Sequence, residues 1–292
     1  MSANQKVTNQ ALRAAFELRR SLSLTIFAPL HAMEIASQLG LDVRMEDCPS
    51  LEGMYLRDAR PRIFLPHNGH RPRGRLLFSC AHELGHHQLG HGTSADKYLA
   101  DDNEVSAKTP DEIAADTFAS HLLMPRQAIV KSFSRRRLSL DNPSALDCFL
   151  VSQELGVGYT TLITQMSAGL KMVSYSTATK LKKAKPNDIR ASVWADSRKT
   201  DLMVLDRHWI APTCNVTRGD FVVLPSEINH TGTCVNPVAT CTALPGTDVY
   251  EVVAKGVQPL NTSATTTVSL RVMDKDYIGT YPNSFLPEPP HE

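Results

Sequence analysis

The 292-residue chain carries 31 Lys and Arg against 30 Asp and Glu, a formal net charge of +1. That near-balance excludes a polyelectrolyte that binds nucleic acid through overall charge. Hydrophobic residues at 42% and charged residues at 21% are an ordinary globular mix, and no apolar run approaches the roughly 20 residues a membrane span needs.

The N-terminal stretch lacks the apolar core of a secretion signal, and the six cysteines form no C-x-x-C pair. The expectation is a cytoplasmic protein with reduced thiols and no membrane partner.

Helical spacing at Leu12, Ala15, Phe16 and Arg19, and again at Met33, Ile35, Ala36 and Leu39 before Gly40, predicts helices within residues 1–40. Alternation at 41–45 and 53–57, and a proline-bounded run at 61–66, predict three short strands. A strongly apolar-periodic helix is expected at 75–90, a polar loop at 92–110, and a second helix at 111–123 redirected by Pro125. Residues 126–175 read as helical, and 145–170 has the outline of a helix-turn-helix around Gly156 and Gly158. A small, polar, basic stretch at 175–186 reads as a linker. Beyond it, strand patterns at 202–205, 220–224, 249–254 and 265–272 alternate with turn residues. The expected division is 1–125, 126–185 and a β-rich 186–292.

The segment Ala81-His82-Glu83-Leu84-Gly85-His86 holds the pattern H-E-x-x-H. On a helix, residues four apart share a face, so both imidazoles can reach one Zn²⁺ while Glu83 stands beside it as general base. A third ligand decides the class. The pattern that continues x-x-G-x-x-H needs Gly at 89 and His at 92, where this chain has Leu89 and Gly92. Gly90 and His91 miss by one residue, which on a helix is a rotation of about 100°. The other solution is a carboxylate from a later helix, for which Glu104, Asp111, Glu112 and Asp116 are candidates. Glu112 and Asp116 share a helical face, so a ligand at 112 can be accompanied by a second carboxylate that orients a ligand histidine.

The string from Leu76 to His86, followed by Glu112-Ile-Ala-Ala-Asp116-Thr-Phe118-Ala-Ser-His121-Leu-Leu-Met-Pro125, resembles the ImmA/IrrE family of metallopeptidases. That family shows R-x-x-F-x-x-A-H-E-x-x-H, then E-x-x-A-(N/D)-x-F-A-x-x-L-L-M-P. Arg75, Phe78, Ala81, His82, Glu83, His86, Glu112, Ala115, Asp116, Phe118 and Ala119 fit it. The match spans about residues 30–170. The resemblance implies an α+β fold whose zincin-like, gluzincin-type peptidase domain has His82, His86 and Glu112 on zinc. The residue patterns themselves add a helical, helix-turn-helix-like extension and a mostly β C-terminal domain, whose position suggests a sensor. The implied substrate is a helix-turn-helix repressor whose cleavage derepresses stress-response, mobile-element or phage-defence genes, with activity latent until a signal arrives. An extended substrate segment is expected along the strand edge at 53–56. The competing readings are a non-proteolytic anti-repressor and a DNA-binding transcription regulator that retains a metal fold.

Further residues carry expectations of their own. Cys48, just before the second strand, is a candidate inhibitory fourth zinc ligand. One of His87, His91 and His121, or Tyr55 or Tyr98, is a candidate stabiliser of an oxyanion, with a surface or core histidine as the plainer reading of each histidine. Arg135, Arg136 and Arg137, with Lys180, Lys182 and Lys183, form two basic clusters that can contact the phosphates of a single-stranded or duplex DNA activator. The second helix of the helix-turn-helix outline has no Arg or Lys, so it is read as structural or partner-docking.

Overall fold

The computed structural model describes residues 3–97, 108–230, 232–261 and 267–286. Glu104 and Tyr98 lie outside the described residues. The chain opens with α1 (Ala3–Ser21) and α2 (Ala32–Gln38), then β1 (Asp42–Glu46), β2 (Leu51–Leu56) and β3 (Arg62–Pro66). The helix that carries H-E-x-x-H is α3 (Arg73–Leu89), followed by β4 (Ser94–Lys97) and α4 (Pro110–Leu123). Among the described residues no helix is long and apolar enough to cross a membrane.

The first sheet runs β13-β1-β3-β2-β4, where β13 is Gly279–Thr280. β1 and β3 are parallel, and the other neighbours are antiparallel. Alternation sets its inner face: Val43, Met45, Ile63 and Leu65 are buried while their chain neighbours are more exposed. Two features differ from expectation. The edge of β2 at 53–56 is not free, because β4 pairs along it from Tyr55↔Ser94 to Leu51↔Lys97. The opposite edge is covered by β13, near the end of the chain, which pairs with β1 through Arg44↔Thr280. An unpaired strand edge is a template for association, and both pairings remove one.

Helix α4 packs against α1 and α3. Gly85, inside the metal motif, permits this: a Cβ there would lie 3.1 Å from Ala115 Cα and 3.1 Å from the Phe118 ring. The far end of α4 is held by Arg19, only 2% exposed, whose Nε and Nη2 donate to Leu122 O at 2.8 and 2.6 Å. Burial pushes its pKa down to about 10. Thr109 caps the start, its Oγ1 accepting from Glu112 N, with Pro110 at the first helical position. Both ends of the helix that bears Glu112 are thereby fixed.

Helices α5 (Arg126–Arg135), α6 (Ala145–Glu154), α7 (Tyr159–Thr164), α8 (Tyr175–Lys182) and α9 (Pro186–Val193) follow, with α7 running on as a π-turn through Gln165–Gly169. Tyr159, Leu162, Ile163 and Met166 are buried in the same core as α3 and α4, so this segment is spent on packing.

The remaining strands are β5 (Leu202–Val204), β6 (Thr213–Thr217), β7 (Phe221–Pro225), β8 (Asn229–His230), β9 (Val235–Thr240), β10 (Thr247–Val252), β11 (Gly256–Asn261) and β12 (Thr267–Met273). They form two four-stranded sheets, β5-β7-β10-β9 and β6-β12-β11-β8. These share one apolar core, including Val222, Leu224 and Val252 from the first and Val216, Leu270 and Val272 from the second. The other face of the first sheet packs on Leu150 of α6 and Val193 of α9. Met273, Tyr281 and Phe285 belong instead to the core of the N-terminal helices, so the end of the chain returns to the part that bears the motif.

Candidate metal centre

On α3, His82 and His86 sit one turn apart and are 5% and 2% exposed. Their Nε2 atoms are 3.1 Å apart. From α4, Glu112 brings Oε2 to 3.0 Å from His82 Nε2 and Oε1 to 3.4 Å from His86 Nε2. A tetrahedral zinc with bonds of about 2.0–2.1 Å holds its ligand atoms about 3.3 Å apart. The three donors already stand at that spacing, and the fourth direction belongs to no protein donor of this group.

The atoms behind the ligands fix which lone pairs face inward. His82 Nδ1 lies 3.0 Å from Asp116 Oδ1, a partner that would keep a proton on Nδ1 and leave Nε2 to an ion at the centre. His86 Nδ1 lies 2.9 Å from His91 Nδ1, and His91 Nε2 is 3.6 Å from Asp111 Oδ1. Asp116 also pairs with Lys108. The arrangement favours positive charge at its centre. Burial opposes protonation of His82, but Asp116 and Glu112 outweigh it and raise the pKa to about 10. Hydrogen bonds from His82 and His86 hold the Glu112 carboxyl far below the ordinary carboxylate range. Two imidazoles, each with a partner at its Nδ1, and a carboxylate fit a divalent cation.

Glu83 is 1% exposed, and its Oε2 accepts from Ser94 Oγ at 2.9 Å. Ser94 belongs to β4, so the strand that covers the edge of β2 also touches the candidate base. A cleft of about 1310 Å³ opens on the opposite flank, lined near the donors by Phe78, His82, Glu112 and Asp116 and farther off by Thr213 and Asn215 of β6.

Other expected site residues are placed elsewhere. Cys48 is not in the converging group, and its Sγ lies 3.6 Å from Ser50 Oγ in the turn before β2; it does not supply a fourth ligand in this structure. The Tyr55 hydroxyl lies 2.9 Å from His87 Nδ1, and His121 faces Phe16 of α1 with ring centroids 6.5 Å apart. Neither lines the cleft. The basic cluster on α5 is corrected by its partners. Arg136 is buried, with Nη1 2.7 Å from Glu154 Oε2 and Nε 2.6 Å from Asp206 Oδ2. Arg135 Nη2 is 2.8 Å from Glu154 Oε1. The Arg136 guanidinium is taken up by two internal carboxylates, whereas Arg135 commits one nitrogen to Glu154. Arg137, Lys180, Lys182 and Lys183 remain exposed.

Sequence reasoning missed Ser94 on Glu83, the role of His91 behind His86, and Gly85 as the point of helix contact. The available signal was a glycine inside the motif, Gly85, and a histidine, His91, five residues beyond His86.

Residues 36–167 match the family model of the IrrE N-terminal-like domain, a peptidase family. No curated protein matches the chain. The family suggests a metallopeptidase acting on a protein substrate, in keeping with two histidines and a glutamate gathered around one point. Residues 36–167, somewhat less than half of the chain, are thus similar to the IrrE N-terminal-like domain, in line with the ImmA/IrrE resemblance that the motif carries.

Proposed function

We propose that this protein is a zinc endopeptidase that cuts a helix-turn-helix repressor and so derepresses the genes it controls. The observation that carries the reading is the spacing of His82 Nε2, His86 Nε2 and the Glu112 carboxylate, 3.0–3.4 Å apart with Glu83 on the same helix. Zinc on these three supplies Lewis acidity, polarising a carbonyl and lowering the pKa of a water to about 7. Glu83 takes the proton of the attacking water and passes it to the leaving amine. Asp116 keeps the His82 Nδ1 proton in place, so the opposite nitrogen stays available as a donor. The substrate enters through the cleft, since the edge of β2 is taken.

Latency has support in the same geometry. Glu83 is nearly inaccessible and one of its oxygens is held by Ser94. In this reading β4 holds the base in check, and activation loosens it. Freeing that oxygen by Ser94→Ala is expected to raise basal cleavage several-fold; a fall would make Ser94 a positioning residue instead.

The test is incubation of the full chain with a small helix-turn-helix repressor encoded beside it. Fragments are read by intact mass, with and without chelator and with Glu83→Gln. Metal-dependent fragments that vanish in the variant support the proposal. Relief of repression by Glu83→Gln with no fragments would instead favour an anti-repressor that binds without cutting.

A further inference from the structure

A second group of metal-ligating side chains lies outside the site described above. Asp47 follows β1, His67 follows β3, and His70 stands in the turn that leads to α3. One oxygen, Asp47 Oδ1, lies 3.4 Å from His67 Nε2 and 2.8 Å from His70 Nε2. The two rings are stacked, with centroids 4.0 Å apart and planes 29° apart. The three donor atoms all lie within 4.8 Å of one another.

We propose that Asp47, His67 and His70 form a second site for a divalent transition-metal ion, with zinc as the working example. The donor set is chemically suited to it, because imidazole and carboxylate are ligands that zinc and its neighbours accept. A simple Asp–His hydrogen bond needs one imidazole, whereas here two converge on one oxygen. The local backbone accommodates this pair: a Cβ on Gly69 would lie 2.6 Å from His67 Cε1, so the turn leaves room for the ring through a glycine. His67 is buried while Asp47 is largely open to solvent, which walls the nitrogen side and leaves the remaining coordination positions to water. The nearby cation Arg71 is neutralised, its Nε donating to Glu52 Oε1 at 2.5 Å.

Loading the site moves no net charge on neutral imidazoles. Each ring shifts its proton from Nε2 to Nδ1, and the freed Nε2 lone pair binds the ion. For His67 this turns an N–H toward Gly69 N, now 3.0 Å from Nδ1, but that amide keeps its bond of 2.8 Å to Lys275 O. The ion ties the turn after β1 to the turn before α3. Gly69 extends that tie to the segment between β12 and β13. His70 and Lys275 line the same cleft as His82 and Glu112, so the second ion sits on its rim.

The test counts zinc on the full chain after stripping, reloading and removal of excess metal. It compares wild type, His82→Ala/His86→Ala, Asp47→Asn/His70→Gln and the four changes together, with folding checked by circular dichroism. The expected contents are two equivalents, one, one and none, since two separate groups are present. Zinc is also expected to raise the melting midpoint of His82→Ala/His86→Ala and to leave the combined variant unmoved. A folded Asp47→Asn/His70→Gln protein that holds as much zinc as wild type overturns the proposal. A wild type with a single equivalent that His82→Ala/His86→Ala retains and Asp47→Asn/His70→Gln loses supports it while contradicting the peptidase reading.

Discussion

The His82–His86–Glu112 group and the Arg136–Glu154–Asp206 group are each mostly buried with one half-buried carboxylate, and both join segments far apart in the chain, yet their charges are arranged differently. In the second, Glu154 receives Arg135 and Arg136, and Asp206 receives Arg136 through two nitrogens at 2.6 and 2.9 Å. Two guanidinium groups meet two carboxylates, and Ser132 Oγ and Ile210 N complete the acceptors of Glu154. That group is closed and balanced. Around the first, two imidazoles face a carboxylate, with Asp116 behind His82 and Glu83 on the same helix. It holds surplus negative charge beside an open cleft. Burial of charge alone therefore does not mark a reactive site; imbalance together with access does.

The largest effect that sharpens the contrast is on metal. Chelation, or His82→Ala, is expected to remove the ion and all cleavage, read by elemental analysis and by product mass. Neither treatment should disturb the Arg136 group, and a global loss of fold on chelation would erase the distinction. Next comes Glu154→Ala. It leaves Arg136 with Asp206 alone and takes the acceptor from Arg135, Ser132 Oγ and Ile210 N, and is expected to cost about 1.5–3 kcal/mol, measured by denaturant titration. A change below about 1 kcal/mol would show the group to be wetter than its burial suggests.

Asp116→Asn follows. It keeps the shape behind His82 but no longer offers a carboxylate, and zinc affinity should fall about 10–100-fold by competition with a chelating dye. An unchanged affinity would separate Asp116 from the centre.

The smallest effect is on pH. His31 is half-buried where α2 begins, beside Asn215 of β6 and Tyr281, with Asn215 Nδ2 2.7 Å from its Nε2. Burial first, and then Arg271 and Arg73, push its pKa down to about 3. A depressed folded pKa means the unfolded chain binds the proton more readily. Stability is thus retained above about pH 6.5 and falls off gradually as the pH drops below it. His31→Gln should flatten that part of a melting-versus-pH curve, and an unaltered slope would assign the acid sensitivity elsewhere.

The same contrast explains what could be read from the residues alone. His82, Glu83 and His86 are legible because four-residue spacing on a helix maps directly onto one face. The helices at 73–89 and 110–123, the first three strands and several later ones fall where periodicity puts them. Arg136 was illegible because its partners stand 18 and 70 residues away, and a run of arginines has the same appearance whether solvated or paired. β4 and β13 are short and polar, and they exist only through the edges they cover. β9 and β11 each contain a proline, which interrupts a strand pattern even where the ladder tolerates it. The contact of Ser94 with Glu83 likewise follows from strand register and not from local sequence.

The most direct measurement is repressor cleavage by Glu83→Gln against wild type, with zinc content determined on the same samples. The account predicts a fall in rate of about 10²–10⁴-fold with zinc still bound. Cleavage at the wild-type rate by a metal-loaded Glu83→Gln protein would contradict it.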